Sequence, residues 1–186
     1  MTHIIKELPW IDEGRKHIGL REDILHSQHH PTIVQWLNTM GKFTGEANAW
    51  WRDDETPWCG LFVGYCLGVS GRFVVREWYR ASAWQSSQMT RILRPAYGSI
   101  VVMARTGGGH VGFVVGIDQR GNIMVLGGNQ GNAVSIAPFS RERLLGATYW
   151  WPSIWRNGVV IKSDPLLSRY DLPLINSSVP VSRNEA

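Results

Sequence analysis

The sequence lacks the features that define several common classes of protein. Only two cysteines occur among its 186 residues, so no disulfide framework is expected. No stretch approaches the roughly 18–20 consecutive apolar residues of a membrane span. The N-terminus has neither the basic start nor the run of about 7–15 apolar residues that marks a secretion signal. The 19 Lys and Arg residues are scattered rather than clustered, which argues against a nucleic-acid footprint. We therefore expect a chain made in the cytoplasm, with no stable membrane insertion and no nucleic-acid partner.

What is present indicates an ordinary folded protein. Apolar residues make up 44% of the chain and charged residues 18%, which is a globular rather than a disordered balance. The length fits one domain. We predict a domain over residues 1–155, a C-terminal extension over residues 156–186 that ends in a loose polar tail, and a monomer. The net charge of +4 favours anionic polymers in general.

Ten tryptophans are an unusual number for this length. A Trp side chain suits both core packing and ligand grooves, because it joins a large apolar face to one N–H donor. We expect Trp36 and Trp150 to be core residues. The tryptophans predicted to line a groove are Trp50, Trp51, Trp58 and Trp84.

The order of predicted elements indicates an α+β fold. Helices are predicted at residues 9–17, 31–40 and 81–89, with Gly41 as the cap of the second. A central apolar helix is predicted to begin with Thr56 as N-cap and Pro57 at the first helical position. Val- and Ile-rich strands are predicted at residues 99–104, 110–117, 122–126, 133–136 and 147–151, with a helical turn at 140–145. Helices first and strands later predict N-terminal helices packed on an antiparallel sheet.

Cys59 is the first candidate for chemistry. Cys59 and Cys66 are seven residues apart on one predicted helix, so their Cα atoms lie about 10 Å apart, too far for a disulfide, which needs less than about 7 Å. Cys59 falls in the first turn, where unpaired N–H groups and the helix dipole stabilise a thiolate, and the polar segment before it predicts a position near solvent. The alternative is a buried structural cysteine, which describes Cys66 well.

His110 is the second candidate, because it opens a strand directly after three glycines. If the following turn places Asp118 opposite Gly121, His110 lies opposite Asn129. The Asn129 carbonyl could then accept the imidazole Nδ1–H and aim Nε2 at the thiol. A bulge at Gly121 would shift this register by one residue and move Asn129 to the other face, with Asn129, Gln130 and Asn132 still nearby as candidate orienting residues. A helix-start Cys followed by a strand-start His and an Asn is the order of a papain-like site.

Three segments resemble the CHAP and NlpC/P60 group of papain-like peptidoglycan hydrolases. They are Thr56-Pro57-Trp58-Cys59-Gly60-Leu61-Phe62-Val63, Gly109-His110-Val111-Gly112-Phe113-Val114-Val115-Gly116 and Gly127-Gly128-Asn129-Gln130-Gly131-Asn132. The front part of the chain is similar to a compact subgroup common in phage lysis proteins. The resemblance implies peptidoglycan as the partner, no cofactor, Cys59 as nucleophile, His110 as base and Asn129 as the orienting group.

The chain also departs from the group. Many CHAP domains carry a Glu shortly before the Asn, where this chain has Gly127. The second oxyanion donor is unassigned, and the candidates for it or for substrate contact are Trp58, Gly109 and Gln130. Some CHAP domains bind calcium before the Cys, but the acidic run at residues 53–55 lacks the alternating ligand pattern, so no metal is expected.

Other functions remain compatible with these residues. One is a phage endolysin that reaches the wall after release from the cytoplasm, and another is an interbacterial toxin that cleaves the same kind of bond. A non-catalytic wall-binding or virion structural module would keep the same fold without depending on Cys59. A glycosidase using Glu55 would need a second facing carboxylate, for which the sequence offers no well-placed candidate.

Overall fold

The computed structural model describes residues 6–22, 30–44, 58–105, 107–176 and 181–182. These residues form three α-helices, α1 (Pro9–Lys16), α2 (Pro31–Thr44) and α3 (Cys59–Val69). Short 3-10 helices occur at Ala81–Trp84, Arg141–Arg143 and Leu167–Tyr170. Among the described residues, no helix has both the length and the apolar character needed to cross a membrane.

The strands that follow confirm the predicted α+β class. Six of them form one antiparallel sheet in the order β1-β6-β2-β3-β4-β5, and β7 and β8 form a separate hairpin. The strands are β1 (Thr90–Ile92), β2 (Ile100–Arg105), β3 (Gly108–Ile117), β4 (Ile123–Gly127), β5 (Ser135–Phe139), β6 (Leu144–Trp151), β7 (Ile154–Arg156) and β8 (Val159–Ile161). The helices pack on this sheet as predicted.

Several predicted boundaries are wrong. Helix α2 continues past Gly41 to Thr44, because Phe43 of the extra turn packs on α3: a Cβ at Gly68 would lie 2.5 Å from Phe43 Cδ2. The predicted helix over 81–89 is only the single 3-10 turn Ala81–Trp84. The strand predicted at 133–136 instead begins at Ser135 and pairs with β4 along its whole length.

Helix α3 lies between the other helices and the sheet, and this position places Cys59. Eight of its eleven residues are buried, in agreement with the predicted central apolar helix. Glycines four residues apart let its neighbours approach closely. A Cβ at Gly64 would lie 2.6 Å from Met40 Cε of α2, and one at Gly60 would lie 2.3 Å from the Trp78 carbonyl. The N-terminal end of α3 is therefore held against the chain that follows it.

The tryptophans divide differently from the expectation. Trp36 is buried as predicted, and the half-buried Trp150 packs against the core. Trp58 and Trp84, predicted to line a groove, are instead completely buried. The Trp84 indole donates to the Trp78 carbonyl at 2.9 Å, so its one polar atom is satisfied inside the core. Trp50 and Trp51 lie outside the described residues.

The C-terminal extension packs back onto the domain. The Arg169 guanidinium donates to the Lys6 carbonyl at 2.7 Å, and the Ile175 N–H donates to the Ile117 carbonyl at 2.8 Å. Arg169 is buried, and Ile175 packs against the core. The domain boundary at residue 155 remains a prediction, and most of the predicted polar tail lies outside the described residues.

Candidate active site

Cys59 is the first residue of α3, with Trp58 as its N-cap. The helix thus begins two residues later than predicted, and Thr56 and Pro57 lie outside the described residues. Trp58 gives no side-chain cap, so the first-turn N–H groups of α3 are not satisfied by an N-cap side chain. The N–H groups of Val111, Gly60 and Cys59 itself lie close enough to the sulfur to favour its thiolate form. Cys59 therefore lies where backbone donors converge on its sulfur.

The thiol is buried rather than near solvent, which contradicts the prediction. Cys59 is 2% exposed, and burial raises the pKa of its thiol above the ordinary value. The nearby Val111 N–H and the positive charge of Arg105 oppose this rise without reversing it. The desolvation of the thiolate thus outweighs its stabilisation by the helix dipole and the first-turn N–H groups. Because the resting group is a neutral thiol, it needs a base to become a nucleophile.

His110 lies on β3, one residue before the Val111 N–H that reaches the thiol. The imidazole is completely buried and stacks on Phe139, with ring centroids 5.5 Å apart and an angle of 12° between the planes. The strand is fixed on this side by pairing of His110 with Met103 of β2. The structure thus brings the predicted nucleophile and the predicted base to the same place, on two rigid elements.

Gln130 is the hydrogen-bond partner of His110, with 3.1 Å between Gln130 Oε1 and His110 Nε2. The other end of the amide is fixed, because its NH2 group donates to the carbonyl of Ser135 at 2.8 Å, to the Ser135 hydroxyl at 3.0 Å and to the Val125 carbonyl at 3.3 Å. Oε1 can only accept, so His110 Nε2 must carry the proton. In the neutral imidazole, Nδ1 then holds the lone pair, the reverse of the predicted tautomer.

Asn129 does not make the predicted bond to His110. The pairing of Phe113 with Leu126 has the expected register, but β4 ends at Gly127. Asn129 has a left-handed backbone, with φ of 55°, so it has left the ladder that would have placed it opposite His110. Its side-chain carbonyl is buried and has no hydrogen-bond partner among the described residues.

Gly127 explains why Gln130 occupies this place. A Cβ at Gly127 would lie 2.8 Å from Gln130 Oε1 and 3.2 Å from His110 Nε2. The amide of Gln130 therefore fills space that a side chain at position 127 would need. The sequence contained a signal for this role of Gln130: Gly127 stands at the position of the expected Glu, and a Gln follows three residues later. The turn that folds one onto the other could not be read from spacing.

Trp58 is not an oxyanion donor. Its indole N–H donates to the Glu22 carboxylate, and its ring lies on Gly128, where a Cβ would be 2.6 Å from Trp58 Cζ3. Gln130 is also unsuitable, because both ends of its amide are already bonded. The N–H groups at the start of α3 are the donors that remain next to the sulfur.

A pocket of about 340 Å³ opens at Cys59. Gly109, predicted to contact substrate, lines it together with Gly107 and Gly108. Two cationic side chains, Arg80 and Arg105, also line the pocket, and none of its described lining residues is acidic. Elsewhere in the described part of the chain, no three His, Cys, Asp or Glu side chains come together as a metal site. The acidic run at residues 53–55 lies outside that part.

This arrangement indicates the class of the fold. A buried helix that starts with Cys59 and packs on an antiparallel sheet carrying His110 is the layout of a papain-like cysteine hydrolase. Residues 51–129 match the family model of the CHAP domain. The matched segment is similar to a CHAP domain, which has a papain-like fold, and it contains Cys59 and His110, while Gln130 follows immediately after it. No curated protein and no solved structure gives a significant match to the chain.

Proposed function

We propose that this protein is a cysteine-dependent peptidoglycan hydrolase in which Cys59, His110 and Gln130 carry the chemistry. The CHAP match supports the class of enzyme and its substrate. The observation that carries the assignment of residues is the fixed orientation of His110: Gln130 determines its tautomer while the adjacent Val111 N–H reaches the Cys59 thiol.

The mechanism follows from these positions. His110 Nδ1 takes the thiol proton as Cys59 attacks the carbonyl carbon of an amide bond. The first-turn N–H groups of α3 stabilise the negative charge that develops on the carbonyl oxygen. The imidazolium returns its proton to the leaving amine, which leaves an acyl-enzyme on Cys59. Water, deprotonated by His110, then releases the acid and restores the thiol.

The finer assignment concerns the bond and the setting. We propose cleavage of an amide in the wall peptide, either as an endopeptidase or as an N-acetylmuramoyl-L-alanine amidase. The proposed setting is a phage endolysin that acts as a monomer on the wall after release from the host cytoplasm. An interbacterial toxin would carry out the same reaction, and the sequence features that favour the endolysin are those of the compact phage subgroup described above.

The test is clearing of purified sacculi or of outer-membrane-stripped Gram-negative cells, with and without prior treatment by iodoacetamide. We expect clearing that alkylation abolishes, and mass spectrometry of the released fragments identifies the bond. Cys66→Ala protein is the matched control, because it retains Cys59 and should remain both active and sensitive to the reagent. If folded, reduced protein clears neither substrate, the hydrolase proposal is wrong and a non-catalytic wall-binding module takes its place.

A further inference from the structure

Arg105 differs from the other partly or fully buried arginines because two of its three guanidinium nitrogens have no hydrogen-bond partner among the described residues. Its Nε and Nη1 atoms are buried and make no hydrogen bond to any described residue. Arg72, Arg143 and Arg169 each donate to a backbone carbonyl, at distances between 2.7 and 3.3 Å. Burying a cation without hydrogen-bond partners is costly. A residue kept in that state is therefore a candidate for binding a ligand.

The position of Arg105 says where the ligand would be. Arg105 ends β2, where it pairs with Gly108, and it lines the same pocket as Cys59. Arg80, which is ion-paired with Glu77 at 3.6 Å, also lines this pocket, and none of its described lining residues is acidic. A guanidinium presents parallel N–H donors that match the two oxygens of a carboxylate. The pocket thus combines a candidate nucleophile with a guanidinium that has unsatisfied donors and carries, among the described residues, an unpaired positive charge.

We propose that Arg105 binds a carboxylate of the substrate while the neighbouring amide is attacked by Cys59. This inference rests on the proposed function. It adds a preference between two kinds of stem peptide. The enzyme cleaves peptides with a free carboxylate next to the scissile bond better than peptides in which that group is a carboxamide. A neutral amide cannot accept two charge-assisted hydrogen bonds, so it leaves the guanidinium partly unsatisfied.

One test needs no knowledge of the substrate. Cys59 alkylation rates are measured with anionic iodoacetate and neutral iodoacetamide, with the modified peptide identified by mass spectrometry. Both reagents react with the same thiolate, so any effect of Arg105 on the thiol itself cancels in their ratio. We expect the ratio of the iodoacetate rate to the iodoacetamide rate to fall roughly tenfold in Arg105→Gln. A fall of this size corresponds to the loss of about one charge-assisted hydrogen bond. The rate ratio of Arg105→Lys should lie between those of the wild type and Arg105→Gln. Arg91→Gln makes the same charge change at an exposed site, and its rate ratio should equal that of the wild type.

An unchanged ratio in Arg105→Gln protein that unfolds at the wild-type temperature would overturn the proposal. The second test uses two synthetic muropeptides that differ only in a free or amidated carboxyl group. We expect wild-type kcat/KM to favour the free acid about tenfold or more, and Arg105→Gln to remove the preference. If wild type cleaves both equally, the carboxylate inference fails while the hydrolase proposal stands. If it cleaves neither, the proposed function fails, and the alkylation ratio still decides whether Arg105 binds carboxylates.

Discussion

Helix α3 carries Cys59 at its first residue and Cys66 three residues before its last, and both thiols are buried. At Cys66, burial raises the pKa well above the ordinary value, and the negative charge of Glu13 raises it further. At Cys59, burial also raises the pKa, but the Val111 N–H and the Arg105 cation oppose it. Cys59 also faces a pocket, whereas Cys66 faces α1, where a Cβ at Gly14 would lie 3.6 Å from its sulfur.

This difference shows that burial alone does not decide what a cysteine does. Both side chains have almost no exposed surface, so a ranking by exposure would treat them alike. The N-terminal end of the helix supplies nearby backbone N–H groups and a nearby cation, whereas the surroundings of Cys66 supply the Glu13 carboxylate and apolar neighbours. Among the described residues, a nearby cation and a pocket beside the thiol are found together at the Cys59 end of the helix.

Replacing each cysteine by alanine gives the largest expected contrast. Cys59→Ala should lower the rate of sacculus clearing by at least about a thousandfold, because it removes the sulfur atom proposed as the nucleophile. Cys66→Ala should keep activity within a factor of about two and lose about 1–2 kcal/mol of stability, since it leaves a small cavity. Clearing assays and urea unfolding measure both quantities. Equal activity of the two variants would contradict the roles assigned to the two ends.

The next contrast concerns Gln130 and Asn129. Gln130→Ala should lower kcat by about 10–100-fold, because His110 loses the acceptor that fixes its tautomer. Asn129→Gly keeps the left-handed backbone that Asn129 adopts and should cost much less. The measurement is kcat for both variants on one soluble muropeptide, with circular dichroism as the folding control. A larger loss in Asn129→Gly would restore Asn129 as the orienting residue.

These two neighbours also show how far the sequence could lead. The α+β class, the central apolar helix and the Cys and His positions follow from periodicity, cap residues and the order of segments. The hydrogen-bond partner of His110 did not follow, because it depends on the turn after β4, where Asn129 and Asn132 both adopt positive φ. A strand register predicts the cross-strand neighbours only of residues that remain paired in the sheet. Tertiary contacts, such as Gln130 filling the space beside Gly127, override it.

The burial of Cys59 was missed for a related reason. The polar residues before the helix predicted exposure, but the sheet and the chain around Trp78 cover the helix start. The Trp58 side chain turns inward to donate to Glu22. The partner of this indole lies 36 residues earlier in the chain, so no local pattern near Cys59 could have predicted it.

Glu22→Ala should perturb the Cys59 end of α3 without affecting the Cys66 end. It leaves the buried Trp58 N–H without its acceptor, which should cost about 1–2 kcal/mol of stability. Because Trp58 directly precedes Cys59, we expect a several-fold slower alkylation of Cys59 in the native protein. Glu13→Ala, near Cys66, is the matched control and should leave the alkylation rate of Cys59 unchanged. An unchanged rate in both variants would show that the Trp58 contact does not position the thiol.

The smallest expected effect is the pH dependence of stability. The folded-state pKa of Cys66 lies well above that of the unfolded chain, so the folded protein keeps the thiol proton after the unfolded chain has released it. Its contribution is fully present below about pH 8.5, the ordinary thiol pKa, and is lost as the pH rises toward the folded-state value. Above about pH 9 this one thiol should lower stability by up to about 1.4 kcal/mol per pH unit. Urea unfolding of wild type and Cys66→Ala at pH 7.5, 9 and 10 measures it. The variant should show the shallower decline, and parallel curves would mean that the Cys66 thiol ionises equally well in both states.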